Sequence, residues 1–227
     1  MKPHLTCHMV ASADGRTLLS RWRPEGTFAA GLFERVFEEL GGGTWLVGRV
    51  TGQEYAKAKA YPDATDERFP REAWIARRGA KAYGVVLDPH GKIAWGRADI
   101  EGDPIVVVLT ERVPDAHLAG LRADSVSYVF AGEDEIDLSA ALEALNRELG
   151  VERVVLQGGG ATNGAFLRAG LIDALSLVVF PNLDGITASA GVFDGGEPGQ
   201  AAPVEAMTLE SCQVLDGGAV WLRYGIR

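Results

Sequence analysis

Three consecutive glycines, Gly158, Gly159 and Gly160, follow the short apolar run Arg153 to Leu156 in this 227-residue chain. Without Cβ atoms the backbone there can approach another molecule closely, and its N–H groups can point outward beside a helix N-terminus, an arrangement that suits a phosphate or pyrophosphate. A tight turn that binds nothing has the same composition. Ser12 and Asp14 bracket Ala13 just before Gly15, placing a hydroxyl and a carboxylate in one turn. Arg21 and Arg23 flank Trp22, and two guanidinium forks beside an aromatic ring could grip the phosphate of a substrate; a solvated loop would look the same. Gly48-Arg49-Val50-Thr51 offers backbone N–H groups and a cation where an apolar run ends.

Elements that would position these residues can be read from periodicity. Arg153 to Leu156 and Ala174 to Phe180 read as strands, with a helix between them that Thr162 or Asn163 caps and Gly170 ends. Leu5 to Ala13, Thr44 to Val47, Ala82 to Leu87, Pro104 to Leu109 and Ser125 to Ala131 are further strands. Helices are expected from Phe28 to Leu40, from Arg49 to Lys59, over Glu72 to Arg78 and from Asp137 to Gly150. Met207 to Leu215 and Ala219 to Gly225 form a hairpin about Asp216-Gly217-Gly218. Residues 182 to 203 read as a loop. Strands alternating with helices and a closing hairpin predict one α/β domain over 1–227, with a mostly parallel central sheet flanked by helices and a C-terminal antiparallel hairpin.

The stretch Leu156-Gln157-Gly158-Gly159-Gly160-Ala161, with Leu167-Arg168-Ala169-Gly170-Leu171-Ile172-Asp173-Ala174-Leu175 before a strand ending at Pro181, resembles the reductase domain of riboflavin-biosynthesis deaminase-reductases. It resembles dihydrofolate reductase more distantly, and Met9 to Gly15 is similar to the first-strand signature of both. The resemblance implies a dihydrofolate-reductase-like fold and NADPH as cofactor. It implies a pyrophosphate held by Gly158, Gly159, Gly160, Ala161 and Thr162, and phosphate contacts from Gly48, Arg49 and Thr51. Val10 would lie along the nicotinamide, while Thr110 and Arg112 would face the adenosine 2′-phosphate. Ser12 and Asp14 are the implied catalytic pair, with Glu38 also within reach as a proton-handling group; Ser12, Trp22, Arg23, Glu38 and Gln157 would meet the substrate. The implied reaction is hydride transfer to the ring-opened ribose of a phosphoribosylamino-pyrimidine, as in 5-amino-6-(5-phosphoribosylamino)uracil reductase. Alternatives are a pteridine or other small carbonyl or imine reductase, or an NADP-binding module without catalysis. Gln157 stands where that family often has an acid, and a homodimer using the late strands and the 182–203 loop is implied.

Composition excludes other classes. With 31 Asp and Glu against 22 Lys and Arg, net charge −9, a broad nucleic-acid or anionic-membrane footprint is not expected. The two cysteines, Cys7 and Cys212, and four scattered histidines show no metal-ligand spacing, so no metal is expected. His-x-Glu with Cys-x-x-Cys, Gly-x-Ser-x-Gly and a Walker lysine are all missing, which removes deaminase, hydrolase and kinase readings. No apolar run is long enough for a membrane span and no export signal opens the chain, so a cytoplasmic setting is expected.

Overall fold

In the computed structural model, residues 1–26, 31–187, 189–196 and 201–227 are described. The chain divides into two compact units, one of Met1–Pro3 with Gly43–Val154, the other of His4–Gly42 with Val155–Arg227.

In the second unit β1 (His4–Ser12) pairs in parallel with β8 (Ala174–Phe180), from Thr6 opposite Ala174 to Ser12 opposite Phe180. β8 then pairs antiparallel with β10 (Val220–Ile226), and β10 with β9 (Met207–Val214), so the expected hairpin closes the sheet. β1 is buried along almost its whole length because both faces are covered. His8, Val10 and Ser12 share one face by alternation, and Cys7, Met9 and Ala11 the other. α1 (Leu32–Glu39) packs Leu32 and Val36 into a cluster with Trp22, Phe180 and Trp221, against which Val10 also packs. The expected start of this helix, at Phe28, lies outside the described residues, as does part of the 182–203 loop. α5 (Gly160–Arg168) runs between β7 (Arg153–Leu156) and β8.

The first unit holds β2 (Trp45–Gly48), α2 (Arg49–Glu54), β3 (Gly84–Leu87), β4 (Asp99–Ile100), β5 (Asp103–Leu109), α3 (Asp115–Ala123), β6 (Ser127–Phe130) and α4 (Leu138–Leu149). β2, β3, β5 and β6 are parallel neighbours in that order, and β4 pairs antiparallel with the start of β5. Ile105 to Leu109 are fully buried. Burying each such aliphatic side chain contributes about 1.5–3 kcal/mol, so this strand anchors the unit. α4 is bounded as the sequence predicts: the Asp137 carboxylate accepts from Ala140 N at 2.9 Å, and Gly150 turns left-handed at φ 70°.

Three expectations are corrected. The helix expected to reach Lys59 stops at Glu54, and no helix covers 72–78; there Trp74 forms an isolated bridge with Tyr128 instead. α3 was not expected at all. Its interior Gly120 argues against a helix, yet a Cβ there would come 2.3 Å from the Tyr61 ring, so glycine is what lets the ring pack on the helix.

Candidate functional site

In the second unit the end of β1 is tied to the segment after β8. Ser12 is buried and its Oγ donates to Asp14 Oδ1 at 2.6 Å, while Asp14 also accepts from Asp184 N at 3.1 Å and Gly185 N at 2.8 Å. These bonds, that of Ser12 first, pull the Asp14 carboxyl down to about 2, although it is exposed. Asp14 is therefore an ionised acceptor near neutral pH. Ser12 likewise has its hydroxyl committed.

The Arg21-Trp22-Arg23 group splits between the core and the surface. Trp22 is 3% exposed, in the core beside Phe180 at 5.6 Å between ring centroids. Arg21 pairs with the buried Asp184 at 3.3 Å and the exposed Arg23 with the exposed Glu25 at 3.2 Å. Glu38 is on the exposed side of α1, its carboxylate beside Gly42.

The glycine turn is built as a close-approach loop. Gly158 has φ +107°, a conformation that disfavours any side chain, and faces the Met9 sulfur. Gly159 is exposed and precedes the first turn of α5; Ala161 is exposed, while Gln157 and Thr162 are half-buried. The helix starts at Gly160, so neither Thr162 nor Asn163 caps it, contrary to expectation. Asn163 is fully buried and its Nδ2 donates to Val192 O at 2.9 Å. Gly160 is not open to a ligand on its Cα side. A Cβ there would lie 2.3 Å from the Asp194 carboxylate, and one at Gly164 1.9 Å from Asp194 O. The 191–195 segment thus lies along α5, held also by Arg168 to Gly195 O at 2.6 Å. Asp194 places a negative charge by the helix N-terminus, the favourable end of the dipole. Only the Asp-Gly-Gly run at 194–196 hinted at it.

A buried polar chain that the sequence did not reveal runs nearby. Trp221 Nε1 donates to Ser176 Oγ at 2.8 Å, which leaves the Ser176 hydroxyl to donate to His8 Nδ1 at 3.0 Å. His8 Nε2 then faces Phe33 O at 3.4 Å, and the ring stacks on Phe33 at 4.5 Å. Burial pushes the His8 pKa down to about 4, so the ring is neutral.

In the first unit Gly48 caps α2 in an extended conformation, Arg49 is exposed and Thr51 half-buried. Asp88, fully buried at the end of β3, accepts from Lys92 N at 2.7 Å and Ile93 N at 2.8 Å through Oδ2. Its Oδ1 is buried without a partner, and desolvation raises its pKa against the pull of those N–H groups and of Arg49. Thr110 is fully buried and donates to Pro89 O at 2.6 Å. Arg112 pairs with Asp134 at 2.6 Å. The expected hydroxyl and guanidinium for a 2′-phosphate thus each have a partner within the chain. Among the described residues no cluster of His, Cys, Asp or Glu could hold a metal ion, and no helix is long and apolar enough to cross a membrane.

Parallel strands that lead through glycines into helices, closed by an antiparallel hairpin, define an α/β protein. Residues 3–221 match the RibD C-terminal domain, and the chain belongs to that family. It is 33% identical over 138 residues to the 2,5-diamino-6-ribosylamino-4(3H)-pyrimidinone 5′-phosphate reductase of Methanothermobacter thermautotrophicus, covering 58% of this chain and 61% of the relative. The chain thus spans less than two thirds of that relative's length. Among solved structures, a pyrimidine reductase-like protein of Corynebacterium diphtheriae superposes with a TM-score of 0.70 at 18% identity, covering 99% of this chain and 92% of the other. Acinetobacter baumannii RibD superposes at 0.68 and 20% identity, over 100% of this chain and 58% of its own. The shared fold is the α/β arrangement described above.

Proposed function

We propose that this protein is an NADPH-dependent reductase that converts the ring-opened ribose of a phosphoribosylamino-pyrimidine to a ribityl chain. The observation that carries the reading is the family match over residues 3–221. The Gly158 turn fits a dinucleotide phosphate: it is left-handed and free of Cβ atoms, and it enters α5 through the exposed Gly159. When bound, NADPH supplies the hydride. Gly158 and Gly159 would admit the pyrophosphate to the α5 N-terminus, with Ala161 and Thr162 in the first turn, and Gly48, Arg49 and Thr51 would offer their own helix start to phosphate oxygens. Val10 shares the β1 face that leads to Ser12. Ser12 and Asp14 hold the end of β1 rigid, and Asp14 offers a fixed acceptor to a substrate hydroxyl; Gln157 can orient the substrate by hydrogen bonds.

The protein is also read as a homodimer. β9 leaves Met207, Leu209 and Val214 exposed on an edge strand, apolar surface that a second copy would cover. Light scattering at micromolar concentration should give about twice the 24.2 kDa chain mass; the single-chain mass counts against it.

A second reading is favoured by one observation: Gln157 is not an acid and Asp14 is ionised, which suits an NADP-binding module without turnover. NADPH oxidation followed at 340 nm with the phosphoribosylamino-pyrimidine, and with cofactor titration alongside, separates the two. Substrate-dependent oxidation is expected; tight NADPH binding without oxidation would favour the module.

A further inference from the structure

Five Asp-Gly or Asn-Gly dipeptides occur in the chain, at Asp14, Asn163, Asp184, Asp194 and Asp216. In such a pair the glycine, with no side chain to obstruct it, can bring its backbone nitrogen onto the side-chain carbonyl carbon of the residue before it. Four of the five are held against that motion. The Asp14 carboxylate accepts from Ser12, Asp184 and Gly185, and the Gly15 N–H already donates to Ser12 O at 2.8 Å. Asn163 is fully buried within α5, its side chain bonded to Val192 O. The Asp184 side chain is 0% exposed and accepts from Ser189 Oγ at 2.6 Å, while the Gly185 N–H is engaged by Asp14. Asp194 accepts from Gly191 N through both carboxylate oxygens, at 3.1 and 3.0 Å, and Arg168 donates to its carbonyl and to that of Gly195.

Asp216 differs on each count. It opens the turn between β9 and β10, its side chain is 90% exposed, and it pairs with the exposed Arg35 at 3.6 Å. A solvated pair of that kind restrains the carboxylate little. Gly217 follows at φ 73°, and among the described residues no group accepts its N–H. The turn itself is closed around them by Leu215 N to Ala219 O at 2.8 Å. Both reacting groups therefore stay free while the strands on either side are paired.

We propose that Asp216-Gly217 is a site of spontaneous covalent modification, where aspartate converts to isoaspartate through a succinimide. Gly217 N forms a bond to Asp216 Cγ, and the carboxyl O–H group leaves with the amide proton as water. A second water opens the five-membered ring at either carbonyl, which restores aspartate or routes the main chain through Cβ and Cγ. No atom is oxidised or reduced, and the mass is unchanged overall. The isoaspartyl product lengthens the backbone of the turn by one methylene, next to the pairing of Val220 with Val214 and with Val179. One residue further on, Trp221 Nε1 donates to the buried Ser176, so the product strains the register of β10.

The test incubates the native protein, and the same chain unfolded in guanidinium chloride, at pH 6 and 37 °C. Isoaspartate is then mapped on proteolytic peptides with an isoaspartate-specific methyltransferase. In the unfolded chain all five dipeptides should convert. In the native protein the rate at residue 216 should stay within about tenfold of its unfolded value, while the other four are slowed at least tenfold more than that. Asp216→Glu, whose ring would need six members, should remove the native signal; Asp216→Asn, whose amide is a better electrophile than a carboxylate at this pH, should raise it at least fivefold. Protection at Asp216 equal to that at the other four, or a native signal that persists in Asp216→Glu, overturns the proposal.

Discussion

The end of β1 in one unit and the end of β3 in the other each hold a carboxylate, Asp14 exposed and hydrogen-bonded through both oxygens, Asp88 buried with one oxygen unpartnered. At the first, Ser12 Oγ donates to Asp14, Asp14 accepts from Asp184 N and Gly185 N, and Arg21 pairs with Asp184, while Arg16 Nε is buried without a hydrogen-bond partner. At the second, Asp88 Oδ2 accepts from Lys92 N and Ile93 N, while its Oδ1 is buried without a partner. The bonds on Asp14 hold its loop in place and leave an exposed, ionised acceptor, whereas the unpaired oxygen of Asp88 carries a desolvation cost that its two backbone donors only partly offset. Residue types alone pointed more strongly to Ser12, Asp14 and the arginines; their hydrogen bonding shows that much of that chemistry is already spent on the fold.

The largest test of this contrast concerns how the 191–195 segment is held on α5. Gly164→Val should destabilise the protein by more than about 3 kcal/mol, because the added atoms meet the Asp194 carbonyl, a backbone group that cannot swing aside. Urea denaturation measures it, and a loss under about 1 kcal/mol would show the segment is loosely held.

Acid stability comes next. His8 and His117 both titrate near 4 when folded, below the ordinary 6.5. A depressed histidine keeps its full stability above about pH 6.5 and loses it as pH falls toward 4, since the unfolded chain takes the proton first. Each contributes on the order of 3 kcal/mol to that loss. Melting temperatures recorded from pH 7 to pH 4 should fall steeply, and His8→Gln should flatten the slope.

Asp14→Asn should lower turnover on the order of tenfold, about 1.4 kcal/mol, with NADPH affinity nearly unchanged. An unchanged rate would make Asp14 purely a turn residue. Because its folded pKa is depressed, its contribution to stability is present above about pH 4 and fades as pH falls toward 2.

The smallest effect is expected at Arg112→Ala. The exposed pair with Asp134 is worth less than about 0.5 kcal/mol, and the ratio of NADPH to NADH affinity should barely move. A loss of tenfold or more in that ratio would place Arg112 at the 2′-phosphate.

The sequence by itself determined the elements whose signals are local. β7 and β8 fall where the β-branched runs lie, α4 begins at Asp137 and ends at Gly150, and the last two strands turn at Asp216 to Gly218. Periodicity and capping act over a few residues, so they can be read without knowing the partners. The glycine turn and the family were legible for the same reason. Only the tertiary structure decided the rest. α3 was hidden because its interior glycine reads as a breaker until Tyr61, remote in sequence, is seen packed against it. Asp194 beside Gly160, the Trp221–Ser176–His8 chain and the spent donors of Thr110 and Arg112 each depend on a partner brought near by folding, most of them distant in sequence. Whether a polar side chain is structure or is free for a ligand is settled by where its hydrogen bonds go, and the chain order does not contain that information.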